Sequence, residues 1–244
     1  MPFCTCGKDD VAIQPPHAVR GKGKGLVQSP KPEPTANRGL ANTHFRIGLA
    51  LAEEGKLKEA VACFEDAVSH DPHHVEAHYM LATMFQEMCM LEQALKSFQR
   101  TIRLQPTHYA AWYNLGYLYQ DLGGEKDYKE KAIRCFRKAV ELEPSDVDGY
   151  INLGLSLKSA GRVSEAVNVY QKALEVDPNS VCAYFNLGNT YSDMRNLDKA
   201  ILSFKRGLEV DPEHRDTLFN LGIAFQVSGS SSHSQDVYTL PMKA

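Results

Sequence analysis

Residues 111–144 read AWYNLGYLYQDLGGEKDYKEKAIRCFRKAVELEP and contain the clearest pattern of the chain. The first half of this stretch carries apolar and small residues at the spacing of one helix face, its second half does the same, and a proline follows. These residues are Trp112, Leu115, Gly116 and Tyr119, then Ala132, Phe136 and Ala139, then Pro144. The stretch therefore predicts two helices joined by a turn, with a break after the second helix.

Prolines divide the rest of the chain into similar units. They recur at nearly equal intervals, at Pro72, Pro106, Pro144, Pro178 and Pro212, and the interval from Pro106 to Pro144 is slightly longer than the others. A proline lacks the N–H that a helix interior requires and disfavours the helical conformation in the preceding residue, so each one separates two units. Asp146 and Ser180, which follow shortly after their prolines, are predicted to cap the helices that follow.

Small residues form two further columns in the same register. Glycine within a helix costs roughly 1 kcal/mol relative to alanine, so a column of glycines indicates that two helices must approach closely. The first-helix column holds Gly48, Ala82, Gly116, Gly154, Gly188 and Gly222. The second-helix column holds Ala60, Ala94, Ala132, Ala166 and Ala200. Large side chains fill the remaining gaps on the second helices, namely Phe64, Phe98, Phe136, Tyr170 and Phe204.

Stacked helix pairs bury a continuous core that a single pair cannot form, so the predicted fold is all-α, an α-solenoid. We predict five full repeats, at residues 41–74, 75–108, 109–146, 147–180 and 181–214, and a partial sixth repeat or capping helix at 215–227. The proline- and glycine-rich segment 1–36 and the polar tail 228–244 are predicted to be disordered.

The third repeat is four residues longer than the others, which is about one helical turn. We expect the extra residues around Gly124 to Lys131, in the turn between its two helices, where an insertion protrudes without breaking the stack. They form either a longer turn or a partner-specific projection.

Composition excludes several classes of function. The chain is 43% hydrophobic with a net charge of −3, which gives no general attraction to nucleic acid or to anionic lipid. No apolar run approaches the ~18 residues of a membrane helix, and residues 1–10 lack the apolar core of a secretory signal. We therefore predict a cytoplasmic protein, with nuclear residence equally compatible, that binds neither nucleic acid nor membrane.

Four of the six cysteines fall singly inside helical patterns. They are Cys63, Cys89, Cys135 and Cys182. Isolated cysteines at such positions are interpreted as small buried hydrophobes and not as a disulfide framework.

The periodic part resembles the tetratricopeptide repeat (TPR) family, because the order W-x2-L-G-x2-Y, A-x3-F and P recurs along it in register. The resemblance implies a right-handed superhelix whose concave wall consists mainly of the first helices. It also implies binding of other proteins, often as short or extended peptides, with no chemistry of its own.

One groove position of the first helices carries a series of asparagines. The position before the Leu-Gly pair, which faces the concave groove in this family, holds Arg46, Met80, Asn114, Asn152, Asn186 and Asn220. The last four resemble the asparagine ladder of O-linked N-acetylglucosamine transferases, whose amides hold the backbone of an extended peptide. An amide offers both a donor and an acceptor, each hydrogen bond contributing about 0.5–1.5 kcal/mol.

We predict that these four asparagines bind such a backbone, and that changing them to alanine weakens binding with almost no change in melting temperature. The alternative is that they are simply solvated. Neighbouring groove positions supply further candidates for peptide binding, the aromatic ones as anchors. They are Tyr113, Tyr117, Lys158, Phe185, Asn189 and Phe219. The aromatic members could instead only cover the joints between helices.

A second TPR subfamily clamps the C-terminal carboxylates of heat-shock chaperones. It requires lysine and arginine at defined groove positions, because a carboxylate in a desolvated groove needs a paired cation. The basic members are missing from both windows of three repeats, so this partner class is predicted to be excluded. The third to fifth repeats offer Tyr113, Tyr117, Asn152, Cys182 and Asn186, and the first to third offer Phe45, Leu49, Met80, Ala110 and Asn114.

Weaker signals do not indicate a reactive site. His70, His73, His74 and His78 cluster at the first inter-repeat turn, but no cysteine joins them, and solvated side chains are the favoured interpretation over a zinc site. Cys4 and Cys6 lack partners for a metal. The chain has no G-x-S-x-G, H-E-x-x-H or dinucleotide motif, so we predict no enzyme, no metal and no cofactor.

The predicted function is a non-catalytic adaptor or scaffold that binds an extended segment of another protein. Two alternatives remain open at this point. The chain could be a truncated substrate-recruiting arm of a larger enzyme such as a glycosyltransferase, or a structural subunit of a multiprotein assembly. The sequence names neither the partner nor the pathway.

Overall fold

The computed structural model describes residues 37–123 and 126–229, and these residues form eleven α-helices. The helices are α1 Arg38–Glu53, α2 Leu57–His70, α3 Val75–Glu87, α4 Leu91–Leu104, α5 Tyr109–Leu122, α6 Lys126–Leu142, α7 Val147–Ser159, α8 Val163–Val176, α9 Val181–Asp193, α10 Leu197–Val210 and α11 Arg215–Val227. Ser228 and Gly229 form a turn. The predictions of disorder for residues 1–36 and 230–244 lie outside the described residues.

Each odd-numbered helix up to α9 packs against the even-numbered helix that follows it, and each pair packs against the next. Beyond these neighbours, contacts join mainly consecutive odd-numbered helices, such as α7 and α9. We call α1, α3, α5, α7, α9 and α11 the first helices, and the surface along them the first-helix wall. Helices far apart in the chain do not close onto one another, so the array is an α-solenoid, as predicted.

The core of each pair is an aromatic ring of the second helix lying on a small residue of the first. Phe64, Phe98, Phe136, Tyr170 and Phe204 are fully buried. A methyl group added to Gly188 would lie 2.5 Å from the Phe204 ring, and one added to Gly154 would overlap the Tyr170 ring in the same way. The glycine column therefore meets the packing requirement that the sequence indicated.

Four of the five turns inside the pairs share a residue with positive φ two positions after the first helix ends, and the turn after α5 lies partly outside the described residues. This residue is Gly55 or Gly161 in two turns, with φ near +75° and +78°, and Cys89 or Arg195 in two others, with φ of +58° and +60°. The following N–H bonds back into the first helix, as from Arg162 to the Leu157 carbonyl at 2.8 Å. This hydrogen bond ends the first helix and reverses the chain.

The prediction for the extra residues of the third repeat is wrong. The connection between α5 and α6 is as short as in the other pairs, and the extra length lies in the helices themselves. Helix α5 has 14 residues where α3, α7 and α9 have 13, and α6 has 17 where the other second helices have 14. Helical residues already hydrogen-bond their own backbone, so one added turn extends the pair without an exposed loop.

The cysteines differ more than the sequence predicted. Cys135 is buried, and burial raises the pKa of its thiol to about 12. Cys63 is half-buried, and Cys89 is exposed in the turn after α3, so the prediction of a buried hydrophobe is wrong for Cys89. Cys182 on α9 is half-buried.

Within residues 37–123 and 126–229, no helix combines the length and the hydrophobicity needed to cross a bilayer.

We predict that Gly188→Ala lowers the free energy of unfolding by about 1–3 kcal/mol, because the new methyl group pushes the Phe204 ring out of its packed position. Gly39→Ala is the matched control, since Gly39 is exposed on α1 and its nearest neighbour would lie 3.7 Å away. That change should stabilise the chain by up to about 1 kcal/mol. Urea unfolding measures both, and equal effects at the two positions would contradict the packing role.

Candidate functional site

The ten residues that the sequence selected for peptide binding all lie on four consecutive first helices. Tyr113, Asn114 and Tyr117 are on α5, and Asn152 and Lys158 are on α7. Phe185, Asn186 and Asn189 are on α9, and Phe219 and Asn220 are on α11. Their environments divide them into groups that the sequence did not distinguish.

Two asparagines join neighbouring first helices through tyrosine hydroxyls. Asn114 Nδ2 donates to the Tyr79 hydroxyl on α3 at 3.1 Å. Asn152 Nδ2 donates to the Tyr113 hydroxyl on α5 at 2.8 Å. Within the described residues, the Oδ1 atoms of both asparagines accept no hydrogen bond. Each of the two amides therefore presents a fixed acceptor, and one of its two N–H donors is used inside the fold.

The other two asparagines bond differently because the preceding first helix lacks the hydroxyl. The position of Tyr79 and Tyr113 is taken by Ile151 on α7 and by Phe185 on α9. Asn186 is 7% exposed, and its Nδ2 donates to the Cys182 carbonyl of its own helix at 2.9 Å. Asn220 Nδ2 instead donates to Asn189 Oδ1 on α9 at 2.7 Å.

These contacts contradict the expectation that all four asparagines can become alanine with almost no change in melting temperature. Three of them hold adjacent first helices together, and the fourth is buried. Removing a partner from a hydrogen bond in such a place leaves the other group unsatisfied, which costs about 1–3 kcal/mol where it is buried.

The aromatic candidates separate by exposure. Phe185 is 4% exposed and packs against Phe204 and His214, so it belongs to the core. Tyr113 is half-buried, with its ring edge-on to Phe136 at 5.7 Å, and burial is the main cause that raises its pKa. Tyr117 and Phe219 are exposed, by 38% and 59%.

Lys158, the predicted basic member of the site, pairs with Asp193 on the next first helix. Its Nζ lies 2.8 Å from Asp193 Oδ2. The ion pair is another bridge between consecutive first helices and offsets the charge of the lysine.

Sequence reasoning missed two residues that shape the wall. Tyr79 supplies the hydroxyl for Asn114, and Gln120 on α5 donates to the Asn152 carbonyl at 3.2 Å and to Ser156 Oγ at 2.7 Å. The Tyr79 contact had a signal, because a tyrosine directly before one groove position is followed one repeat later by an asparagine at that position. Gln120 had none, since its partners depend on the spacing between helices.

Side-chain caps hold the starts of the first helices in register. Asp146 and Ser180 accept hydrogen bonds from the N–H groups of Gly149 at 2.8 Å and of Ala183 at 3.3 Å, so both predicted caps are confirmed. The same position after the proline holds a histidine in three other units, where the ring Nδ1 accepts the bond. These histidines are His74, His108 and His214, and their donors are the N–H groups of Ala77, Ala111 and Thr217. Histidine is a cap that the usual preferences do not include.

The capping residues also contact the preceding repeat. The His74 ring lies 4.8 Å from Phe45, and its Nε2 is 3.1 Å from Asn42 Oδ1 on α1. The His108 ring lies 4.8 Å from Tyr79. Each of these caps therefore fixes one first helix against the one before it.

An acidic cap makes the same connection at the next joint. The Tyr109 hydroxyl on α5 donates to Asp146, the cap of α7, at 2.5 Å. An aspartate cap thus contacts the preceding first helix as the histidine caps do.

The histidine cluster at the first inter-repeat turn has structural contacts. His74 caps α3, His78 Nε2 is 3.1 Å from the Pro72 carbonyl, and His70 stacks on His44 at 5.5 Å. Among the described residues, no three His, Cys, Asp or Glu side chains are placed to hold a metal ion. Cys4 and Cys6 lie outside the described residues.

The charge of the first-helix wall is acidic. From α3 to α9 the first helices carry one basic residue, Lys158, and a set of carboxylates at both ends of the helices. These are Glu76, Glu87, Asp121, Asp148 and Asp193. Over the same span, α4 and α6 carry more basic than acidic residues, whereas α8 carries more acidic than basic ones. The wall therefore differs in charge from α4 and α6.

Four models of the tetratricopeptide repeat match the chain, at residues 51–115, 109–146, 156–194 and 181–214. No curated protein matches it significantly.

Several solved structures are similar to the chain over most of their own length. The crystal structure of MamA protein shares 25% identity, covers 71% of this chain and 93% of its own, and has a TM-score of 0.66. YrrB, described as a TPR protein with an unusual peptide-binding site, shares 23%, covers 75% and 92%, and has a TM-score of 0.67. PilF of Pseudomonas aeruginosa shares 16%, covers 82% and 89%, and has a TM-score of 0.63. The last two likenesses concern the fold alone.

We predict that Tyr113→Phe lowers the free energy of unfolding by about 0.5–1.5 kcal/mol, because the Asn152 amide loses its acceptor. A double-mutant cycle with Asn152→Ala should give a coupling of about 0.5 kcal/mol or more. Tyr117→Phe is the control, since that hydroxyl is one turn away on the exposed side of α5. Denaturant unfolding gives the values, and zero coupling between Tyr113 and Asn152 would disprove the bridge.

Proposed function

Since the chain belongs to the tetratricopeptide repeat family, we propose that it is a non-catalytic adaptor whose first-helix wall binds an extended segment of another protein. The family and the fold shared with similar solved structures support the general protein-binding role. The wall formed by α5, α7 and α9 is the binding surface in this proposal.

The observation that carries the proposal is the pair of fixed amide acceptors on adjacent first helices. The Tyr79 and Tyr113 hydroxyls hold the amides of Asn114 and Asn152 with their nitrogens inward. An oriented amide oxygen can accept a backbone N–H whatever side chain the partner carries. Since one of the two N–H donors of each amide is used internally, each amide offers a partner its oxygen and one remaining donor, in an orientation that the tyrosine fixes.

Exposed side chains beside these amides add contact area. Tyr117 lies one turn after Asn114 on α5, and an exposed aromatic side chain is a typical anchor at protein interfaces. Phe185 and Asn186 are left out of the proposed site because both are buried.

The charge of the wall favours a basic partner. Carboxylates at both ends of the first helices attract lysine and arginine, and Lys158, the wall's basic residue between α3 and α9, is paired with Asp193. We also propose that the C-terminal carboxylates of chaperones are not partners. Between α3 and α9 they would meet the carboxylates of the wall, and the lysine there is already paired with Asp193.

We predict that a display library of random peptides panned on the full chain enriches sequences rich in lysine and arginine, with no requirement for a free C-terminus. Enriched peptides should lose about 3–10-fold in affinity on the double variant Glu87→Gln, Asp148→Asn, because each exposed charge pair contributes about 0.2–1 kcal/mol. Fluorescence anisotropy measures the affinity, and the difference should shrink at high salt.

The matched control is Glu65→Gln with Glu175→Gln, which removes the same charge from exposed positions of second helices. It should leave binding unchanged. A library that yields no binders, or binders equally sensitive to both double variants, would contradict the proposed use of the first-helix wall.

A further inference from the structure

The last helix of the array leaves an apolar stripe exposed. Phe219, Ile223 and Val227 are 59%, 40% and 54% exposed, and their regular spacing places them along one face of α11. Among the described residues, no helix follows α11 to form a pair with it. At the position of Phe219, Phe185 on α9 is only 4% exposed, so Phe219 lacks the cover that a following second helix gives there.

An aromatic contact that recurs in the other pairs indicates what covers this stripe. The first-helix residue at the position of Phe219 packs on the aromatic ring of the second helix in the same pair. Ring centroids lie 5.7 Å apart for Phe45 and Phe64, 6.1 Å for Tyr79 and Phe98, and 6.4 Å for Phe185 and Phe204. In each of these three pairs the second ring lies 19 residues after the first. The residue 19 positions after Phe219 is Tyr238.

The glycine column of the same repeat register leads to the same residue. In three pairs the ring lies on a glycine that stands 16 residues before it in the sequence. These pairs are Gly48 and Phe64, Gly154 and Tyr170, and Gly188 and Phe204. The same separation leads from Gly222 on α11 to Tyr238. Because Tyr170 is itself fully buried, the position accepts a tyrosine.

The small-residue column of the second helices continues in the same register. Ala60, Ala166 and Ala200 each stand one helical turn before the aromatic ring of their helix. Ser234 stands at the corresponding place before Tyr238, and serine is also a small residue. The sequence after α11 therefore keeps both the ring and the small residue of a second helix.

The turn after α11 matches the turns that lead into second helices. Gly229 has a φ of +76°, and its N–H bonds to the Gln226 carbonyl at 3.3 Å. Gly55 and Gly161 have the same conformation and the same bond at the turns before α2 and α8. A turn of this kind reverses the chain in those two pairs, which is the direction that a contact between Tyr238 and α11 requires.

We propose that residues 231–240 complete the last helix pair by lying along α11 and burying the Tyr238 ring against Phe219 and Gly222. Pro241 limits the segment, because a helix cannot continue through it without losing a hydrogen bond. The contact closes the apolar end of the solenoid within one molecule. It also gives Phe219 an intramolecular partner in place of the peptide contact that the sequence suggested.

Hydrogen exchange of the full chain, followed by mass spectrometry, tests the proposal. Tyr238→Ala should speed exchange of the α11 amides by about tenfold or more, because burying an aromatic ring favours the packed state by more than that factor. Tyr238→Phe should leave exchange unchanged, since phenylalanine fills this position in four other pairs. Thr239→Ala is the matched control, because the corresponding residues Glu65, Arg137 and Lys205 are exposed.

Two results would overturn the proposal. One is equal exchange of the α11 amides in wild type, Tyr238→Ala and Thr239→Ala. The other is α11 protection that rises when the protein concentration is raised roughly tenfold, which would mean that a second copy covers the stripe. Protection that is independent of concentration, lost in Tyr238→Ala and kept in Tyr238→Phe supports it.

Discussion

The contact between an aromatic ring on each second helix and a small residue on the first sets the geometry of the whole array. Rings such as Phe204 lie so close to the facing glycine that a single methyl group would not fit. This close approach fixes the distance and register of the two helices, because both sides of the contact are rigid. Every other feature, including the spacing of the groove residues, depends on its repetition.

Hydrogen bonds between consecutive first helices fix the orientation of side chains on the first-helix wall. The bonds from Asn114 to Tyr79 and from Asn152 to Tyr113 hold amides whose oxygens remain available. Capping side chains such as His74 and His108 fix the same helices at their N-terminal ends through contacts with the preceding repeat. A surface held in this way is ordered before a partner binds, which lowers the entropic cost of binding.

Residues that are equivalent in sequence can differ in role because the repeat places each of them beside a different neighbour. Four asparagines share one position, yet two bond to tyrosine, one to its own helix and one to Asn189. The difference follows from one residue on the preceding helix, tyrosine in two repeats and isoleucine or phenylalanine in the others. The acidic wall is likewise a property of several helices together, since each contributes only one or two carboxylates.

The helix pairs, their stacking and the family were predictable from the sequence, because periodic apolar residues, the glycine column and the prolines act locally and repeat in register. The sequence also identified Asp146 and Ser180 as caps. Only the tertiary structure decided that the extra residues of the third repeat lengthen α5 and α6, that Phe185 and Asn186 are buried, and which amide atoms are available. These properties depend on contacts between residues that are far apart in the chain, which a periodic pattern does not specify.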